Sequence, residues 1–144
     1  MSSASHPEGL AVARELIARE AVARTGVLDL SGLGLVAPPQ ELRELTHLRV
    51  LRLGRGCDEC LGSDWPEETQ DHEVNDLQQG WEGLGALTNL TELYCSHMVL
   101  SDLEPLAQIT TLALLDCAGC QIRDLSPLVQ LPALAILICK RNRI

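Results

Sequence analysis

Aromatic side chains are almost absent from this 144-residue chain, which has no Phe, one Tyr (Tyr94) and two Trp (Trp65 and Trp81). A core built from it must be aliphatic. Positive charge is scarce too. Eleven Lys and Arg stand against twenty Asp and Glu, a net charge of −9. That balance speaks against nucleic acid as a partner, because such binding rests on neutralising phosphates. Lys140 is the sole lysine, and no G-x-x-x-x-G-K-[ST] phosphate loop exists. No apolar run reaches the roughly 18 residues of a membrane helix. Residues 1–9 also lack the charged segment and apolar stretch of a secretory signal. The length suits one domain with a continuous core.

What the chain has is repetition. Leu90-Thr-Glu-Leu93-Tyr-Cys95-Ser-His-Met98-Val-Leu100 is followed 22 residues later by Leu112-Ala-Leu-Leu115-Asp-Cys117-Ala-Gly-Cys120-Gln-Ile122. After another 22 residues comes Leu134-Ala-Ile-Leu137-Ile-Cys139-Lys-Arg-Asn142-Arg-Ile144. Two earlier frames fit less well: Thr25-Gly-Val-Leu28-Asp-Leu30-Ser-Gly-Leu33-Gly-Leu35, and Leu48-Arg-Val-Leu51-Arg-Leu53-Gly-Arg-Gly56. Alternating Leu and Leu/Cys at positions four and six predicts a short strand with one face on a core. Between frames, apolar residues fall at every third position (Leu103, Leu106, Ile109; Leu125, Leu128, Leu131), which fits a 3₁₀-like return leg. The frame L-x-x-L-x-(L/C)-x-x-N-x-(L/I) resembles the leucine-rich repeat. The fold that this implies is α/β: a leucine-rich repeat solenoid, a short right-handed superhelix of about five turns. Each unit leaves an apolar edge that only a neighbouring unit can cover.

Residues 1–24 read as a capping helix for the first open end, and 25–144 as the array. Ser5-His-Pro-Glu8 matches a capping box. Leu10, Ala13, Ile17 and Ala21 follow at helical spacing, Arg14, Glu15, Arg19 and Glu20 supply a solvated side, and Gly26 is the stop. The second and third frames start 42 residues apart, an excess of about 20 over the repeat. The surplus is assigned to residues 57–80, which hold eight acidic residues and no Lys or Arg. Such a segment is expected to project as a surface loop. The ninth frame position usually holds Asn, which satisfies backbone groups in the turn after each strand. Here it is Leu33, Gly56, Met98, Cys120 and, once, Asn142. A less regular solenoid is expected, since Leu and Met cannot bond those groups.

The N-terminal helix, Val27-Leu-Asp-Leu-Ser-Gly-Leu33, the repeat Leu115-Asp-Cys-Ala-Gly-Cys-Gln-Ile-Arg-Asp-Leu-Ser-Pro-Leu128 and the acidic, Trp-containing insertion resemble bacterial leucine-rich repeat proteins of the Roco type. In that family the array precedes a Ras-like GTPase module and a dimerisation module. The resemblance therefore implies a recognition arm and brings no GTPase chemistry with it.

Catalytic and metal chemistry fare poorly. Ser96-His97 and Asp116 could be assembled into a nucleophilic site, but the repeat explains every spacing, so no enzyme is expected. Cys117 and Cys120 fall at inward positions six and nine, where Cys acts as a small hydrophobe. Cys57 and Cys60 lie in the insertion with His72, types that suit a tetrahedral metal site. Their spacing matches no familiar module, so no metal and no cofactor is assigned. With Cys95, Cys117 and Cys139 turned inward, a reducing cytoplasm is the expected compartment.

Outward positions of the strands carry the functional reading. If positions four and six point inward, three, five and seven line the concave sheet, and position eight sits at its rim. The expected partner is a protein or peptide anchored by Tyr94, Leu114, Ile136 and Ile138. Arg52, Arg55, Glu92 and Asp116 would set its orientation. Two alternatives stand beside this non-enzymatic interaction module. One is the sensor arm of a Roco-like GTPase whose catalytic part lies outside this chain. The other is a fragment that self-associates through an uncapped last repeat.

Overall fold

The computed structural model describes residues 7–54, 75, 81–98 and 100–144. Helix α1 (Pro7–Ala23) is followed by strands β1 (Val27–Asp29), β2 (Val50–Arg52), β3 (Glu92–Tyr94), β4 (Leu114–Asp116) and β5 (Ile136–Ile138). The strands form one parallel sheet in chain order. Their register aligns position four of every frame: Leu28, Leu51, Leu93, Leu115 and Leu137 are successive partners. A strand, a return leg and the next strand in parallel make one coil of a solenoid, and the frame predicted from the leucines is the frame observed.

Return legs contain 3₁₀ turns at Gln40–Glu44, Trp81–Ala86, Glu104–Gln108 and Ser126–Gln130. The period of three has a direct physical cause. Each apolar residue on the leg donates its backbone N–H to the previous one, as in Leu106 to Leu103 (2.9 Å), Ile109 to Leu106 (3.0 Å) and Leu112 to Ile109 (3.0 Å). A 3₁₀ turn eclipses side chains at i and i+3, so one row of leucines faces inward along the whole leg. These rows meet Leu30, Leu53, Cys95 and Cys117 from position six in one aliphatic core. Cys139 continues the cysteine series but is only half-buried, because β5 has no following strand beside it among the described residues.

Helix α1 covers the first coil, packing on β1 and on the Gln40–Glu44 turn. Ala13 and Ile17 enter the core, with Leu10 and Leu16 against it. The last position of this stripe differs from expectation. Ala21 is exposed and Glu20 is buried, at 5% exposure. Glu20 reaches that site because polar donors from two other segments meet its carboxylate there. Ser5 lies outside the described residues.

The insertion also needs correction. Asn75 falls inside the segment expected to project, yet it is 1% exposed. Its amide Nδ2 donates to the carbonyls of Leu30 (2.9 Å) and Leu53 (2.6 Å), and its Oδ1 accepts from Leu35 N (2.8 Å). Asn142 makes the same three bonds one level at a time elsewhere: Nδ2 to Cys117 O (2.8 Å) and Cys139 O (2.9 Å), with Ile122 N onto Oδ1 (3.0 Å). Both asparagines thus join position six of their own frame to positions six and eleven of the frame before. Asn75 thus makes the ninth-position bonds of the second frame. Gly54 stands at position seven, where a Cβ would strike the backbone of Ser96. Only glycine fits so close an approach. At position eight the backbone is left-handed in every described frame, with φ of 73° at Gly32, 57° at His97, 68° at Gly119 and 58° at Arg141.

Candidate interaction surface

The strand register sorts the outward side chains into two rows. Position three contributes Val27, Val50, Glu92, Leu114 and Ile136; position five contributes Asp29, Arg52, Tyr94, Asp116 and Ile138. Adjacent strands lie about 4.8 Å apart, so members of a row touch their neighbours. The sheet therefore does bring together Arg52, Glu92, Tyr94, Leu114, Asp116, Ile136 and Ile138. None of these seven belongs to the leucine core on the other face. Arg55, Cys57, Cys60 and His72 lie outside the described residues.

Exposure along the rows is uneven, so fewer of the expected anchors are open than their outward positions suggest. Ile136 is 52% exposed, Arg52 is exposed, and Glu92 and Ile138 are half-buried. Tyr94 (7%), Leu114 (9%) and Asp116 (0%) are buried. Their contacts supply part of the reason. Tyr94 lies beneath the Arg52 guanidinium, 5.4 Å from the ring centroid, and donates its hydroxyl to Glu92 Oε1 at 2.9 Å. Burial, reinforced by that hydrogen bond and the Glu92 charge, pushes the Tyr94 phenol up to about 12, with Arg52 opposing. Asp116 accepts from the backbone N–H of Ala118 at 3.2 Å. Asp29 does the same for Ser31 at 3.0 Å. An aspartate at position five thus closes the turn after its strand, as an Asx turn does. Position seven is also less open than expected, with Gly54, Ser96 and Ala118 all buried. The Ser96 hydroxyl has no hydrogen-bond partner.

Sequence reasoning gave too little weight to the first strand. Val27 is 46% exposed, and beside it Asp29 and Arg52 are exposed at neighbouring positions. Alternation within Val27-Leu28-Asp29-Leu30 was the available signal.

The inward sulfurs behave as packing groups. Cys95, Cys117, Cys120 and Cys139 are free thiols, the first three buried. Burial, with smaller contributions from the neighbouring thiols, drives Cys95 well above the usual thiol range and Cys117 to about 12. Burial likewise takes Cys120 to about 11, against opposing backbone hydrogen bonds. Cys120 occupies the ninth position and points its thiol at Cys95 O, at 3.2 Å. It thus reaches one of the carbonyls that asparagine takes elsewhere. Such protonated, enclosed thiols are poor nucleophiles and poor metal ligands. No helix among the described residues is long and apolar enough to cross a membrane.

No protein-family model matches this chain, and no curated protein does. Solved structures do. Internalin C2 from Listeria monocytogenes is 29% identical with a TM-score of 0.63, over 82% of this chain and 43% of that one. A leucine-rich repeat protein from Leptospira interrogans is 26% identical with a TM-score of 0.50, over 81% of this chain and 31% of that one. A second Listeria monocytogenes internalin, inlF, shares the fold at 23% identity and a TM-score of 0.56, over 92% of this chain and 43% of that one. The chain thus spans less than half the length of each. These structural neighbours are bacterial leucine-rich repeat proteins.

Proposed function

We propose that this leucine-rich repeat solenoid, closed at its first coil by a helix, is a non-enzymatic protein-binding module that takes a protein or peptide across its concave sheet, in the cytoplasm. The observation that carries this reading is the two-row register. Five parallel strands align their outward residues on one continuous surface, with open apolar side chains at both ends and a fixed polar centre. Similarity to leucine-rich repeat proteins supports it, and buried free cysteines support a reducing compartment. Accessible contacts are Val27, Arg52, Glu92, Ile136 and Ile138. Tyr94, Leu114 and Asp116 form the floor that holds Arg52 and Glu92 in place.

Crosslinking capture from the native lysate tests this. Ile136→Asp and Arg52→Glu should each lose the captured species, whereas Val129→Asp, on a return leg and 84% exposed, should keep it. Equal capture by all three would refute concave binding. Two readings remain beside it. The Leu115–Leu128 pattern supports a sensor arm of a Roco-like GTPase, which cofractionation with a GTPase activity would establish. Exposed Ile136, Leu137 and Ile144 support self-association, which a concentration-dependent sedimentation coefficient would establish.

A further inference from the structure

Besides the apolar packing of Ala13 and Ile17, a buried carboxylate ties helix α1 to the first coil. Glu20, in the last turns of α1, accepts four hydrogen bonds. Oε1 takes Thr25 N at 3.2 Å and Thr25 Oγ1 at 2.5 Å, and Oε2 takes Gly26 N at 2.8 Å and His47 Nε2 at 2.6 Å. Thr25 and Gly26 lead into β1, and His47 follows the Gln40–Glu44 turn, so three segments meet at this side chain. An ionised carboxylate has acceptors for all four donors. A protonated one turns an oxygen into a donor, which the backbone N–H groups of Thr25 and Gly26 cannot accept, and which Thr25 Oγ1 or His47 Nε2 accepts only by giving up the bond it donates. Leaving buried groups unpaired is costly, so the joint favours the anion.

Arg49 lies along Gly26, its Nε 3.0 Å from where a Cβ would stand. Arg14 and Glu41 make the second link between α1 and the Gln40–Glu44 turn, at 3.3 Å, but both are about half exposed. A solvated pair of that kind contributes little.

We propose that the Glu20 carboxylate, held by His47, Thr25 and Gly26, is an acid-sensitive latch that undocks α1 from the first coil while the remaining coils stay folded. Undocking would bare the edge of β1 and the side chains Leu28 and Leu30, an apolar surface and strand edge open to other chains. The direction in pH follows from the carboxyl group. Burial raises its pKa, but the bonds from Thr25, Gly26 and His47 outweigh burial and hold it below its ordinary 4.5. A group depressed in the docked form stabilises that form fully above its ordinary value, and the benefit is lost as pH falls through the depressed one. The window is therefore below pH 4.5. One proton allows a change of at most about tenfold per pH unit in the opening equilibrium.

Hydrogen-exchange protection factors on the full chain, between pH 7 and about 3, provide the test. Protection of α1 should fall below pH 4.5, by at most about tenfold per unit, while β3 and β4 hold theirs. Glu41→Gln should keep this transition. Glu20→Gln should remove it, leaving α1 weakly protected at every pH. His47→Gln, which loses the imidazole contact but keeps the carboxylate, should move the transition to higher pH. Flat α1 protection in the unmodified chain would overturn the proposal. So would a transition that persists in Glu20→Gln, an unmoved one in His47→Gln, or loss of α1 and β3–β4 together.

Discussion

Asn75→Ala should be among the most damaging single substitutions in this chain. The side chain is 1% exposed and satisfies three backbone groups at once: Leu30 O, Leu53 O and Leu35 N. Alanine leaves all three without a partner, in a space sealed from water. A buried polar group left unsatisfied costs about 1–3 kcal/mol. Three such groups, with some relaxation of the turn, give roughly 3–5 kcal/mol, a large part of the 5–15 kcal/mol that holds a typical domain folded. Asn142 makes the equivalent bonds but is half-buried, so water can replace part of what alanine removes there. Asn142→Ala should therefore cost less, about 1–2 kcal/mol. Urea unfolding measures both, with stability read from the midpoint and an unchanged slope confirming that the folded state is the same. A loss under about 1 kcal/mol for Asn75→Ala, or a larger loss for Asn142→Ala, would show that Asn75 does not make the ninth-position bonds of the second frame.

Cys120→Asn should raise the unfolding midpoint by roughly 1–2 kcal/mol of stability, because the ninth-position amide would reach Cys95 O and Cys117 O where the thiol reaches only the first. A midpoint lowered by the change would mean that this turn cannot admit the larger side chain. Tyr94 is the only tyrosine, so phenolate absorbance should titrate near pH 12 in the folded chain rather than at its ordinary 10.0. Because its pKa is raised on folding, its contribution to stability is complete below pH 10 and is lost as pH rises towards 12. A folded-state midpoint at the ordinary value would place the ring in water and undo the account of the concave floor.

Much of the fold was legible because repeats force one answer many times. Five leucines at position four and the period-three return legs each restate the register, so an error at one frame is outvoted by the others. Asn75 escaped that logic. Twenty residues separate it from Gly54, and its ninth-position role is recognisable only once the hydrogen bonds to Leu30 and Leu53 are known. Glu20 escaped for another reason. A stripe of apolar residues at helical spacing extends naturally to Ala21, and nothing local reports that Thr25, Gly26 and His47 converge one residue earlier. Outward residues posed the same difficulty. Position five marked Tyr94 and Asp116 as facing away from the core but gave no sign that both are buried, Tyr94 beneath Arg52 of the neighbouring strand.

If the sheet binds a peptide as proposed, that uneven burial sets the length the peptide needs. Its open apolar side chains, Val27 on β1 and Ile136 on β5, are separated by four strand spacings, or about 19 Å at 4.8 Å each. An extended peptide advances about 3.3 Å per residue, so about six residues are needed to touch both ends. On the proposed reading a peptide between them would cross Arg52 and Glu92, which Tyr94 braces from below through the ring contact and the hydroxyl bond. Bracing reduces the side-chain entropy that binding would otherwise have to remove, so these two charges are pre-ordered for a partner. Val27 and Ile136 each expose too little area to hold a ligand alone. Binding through both ends and the braced centre together requires a segment longer than a dipeptide or tripeptide, and a ligand of that small size should not be retained.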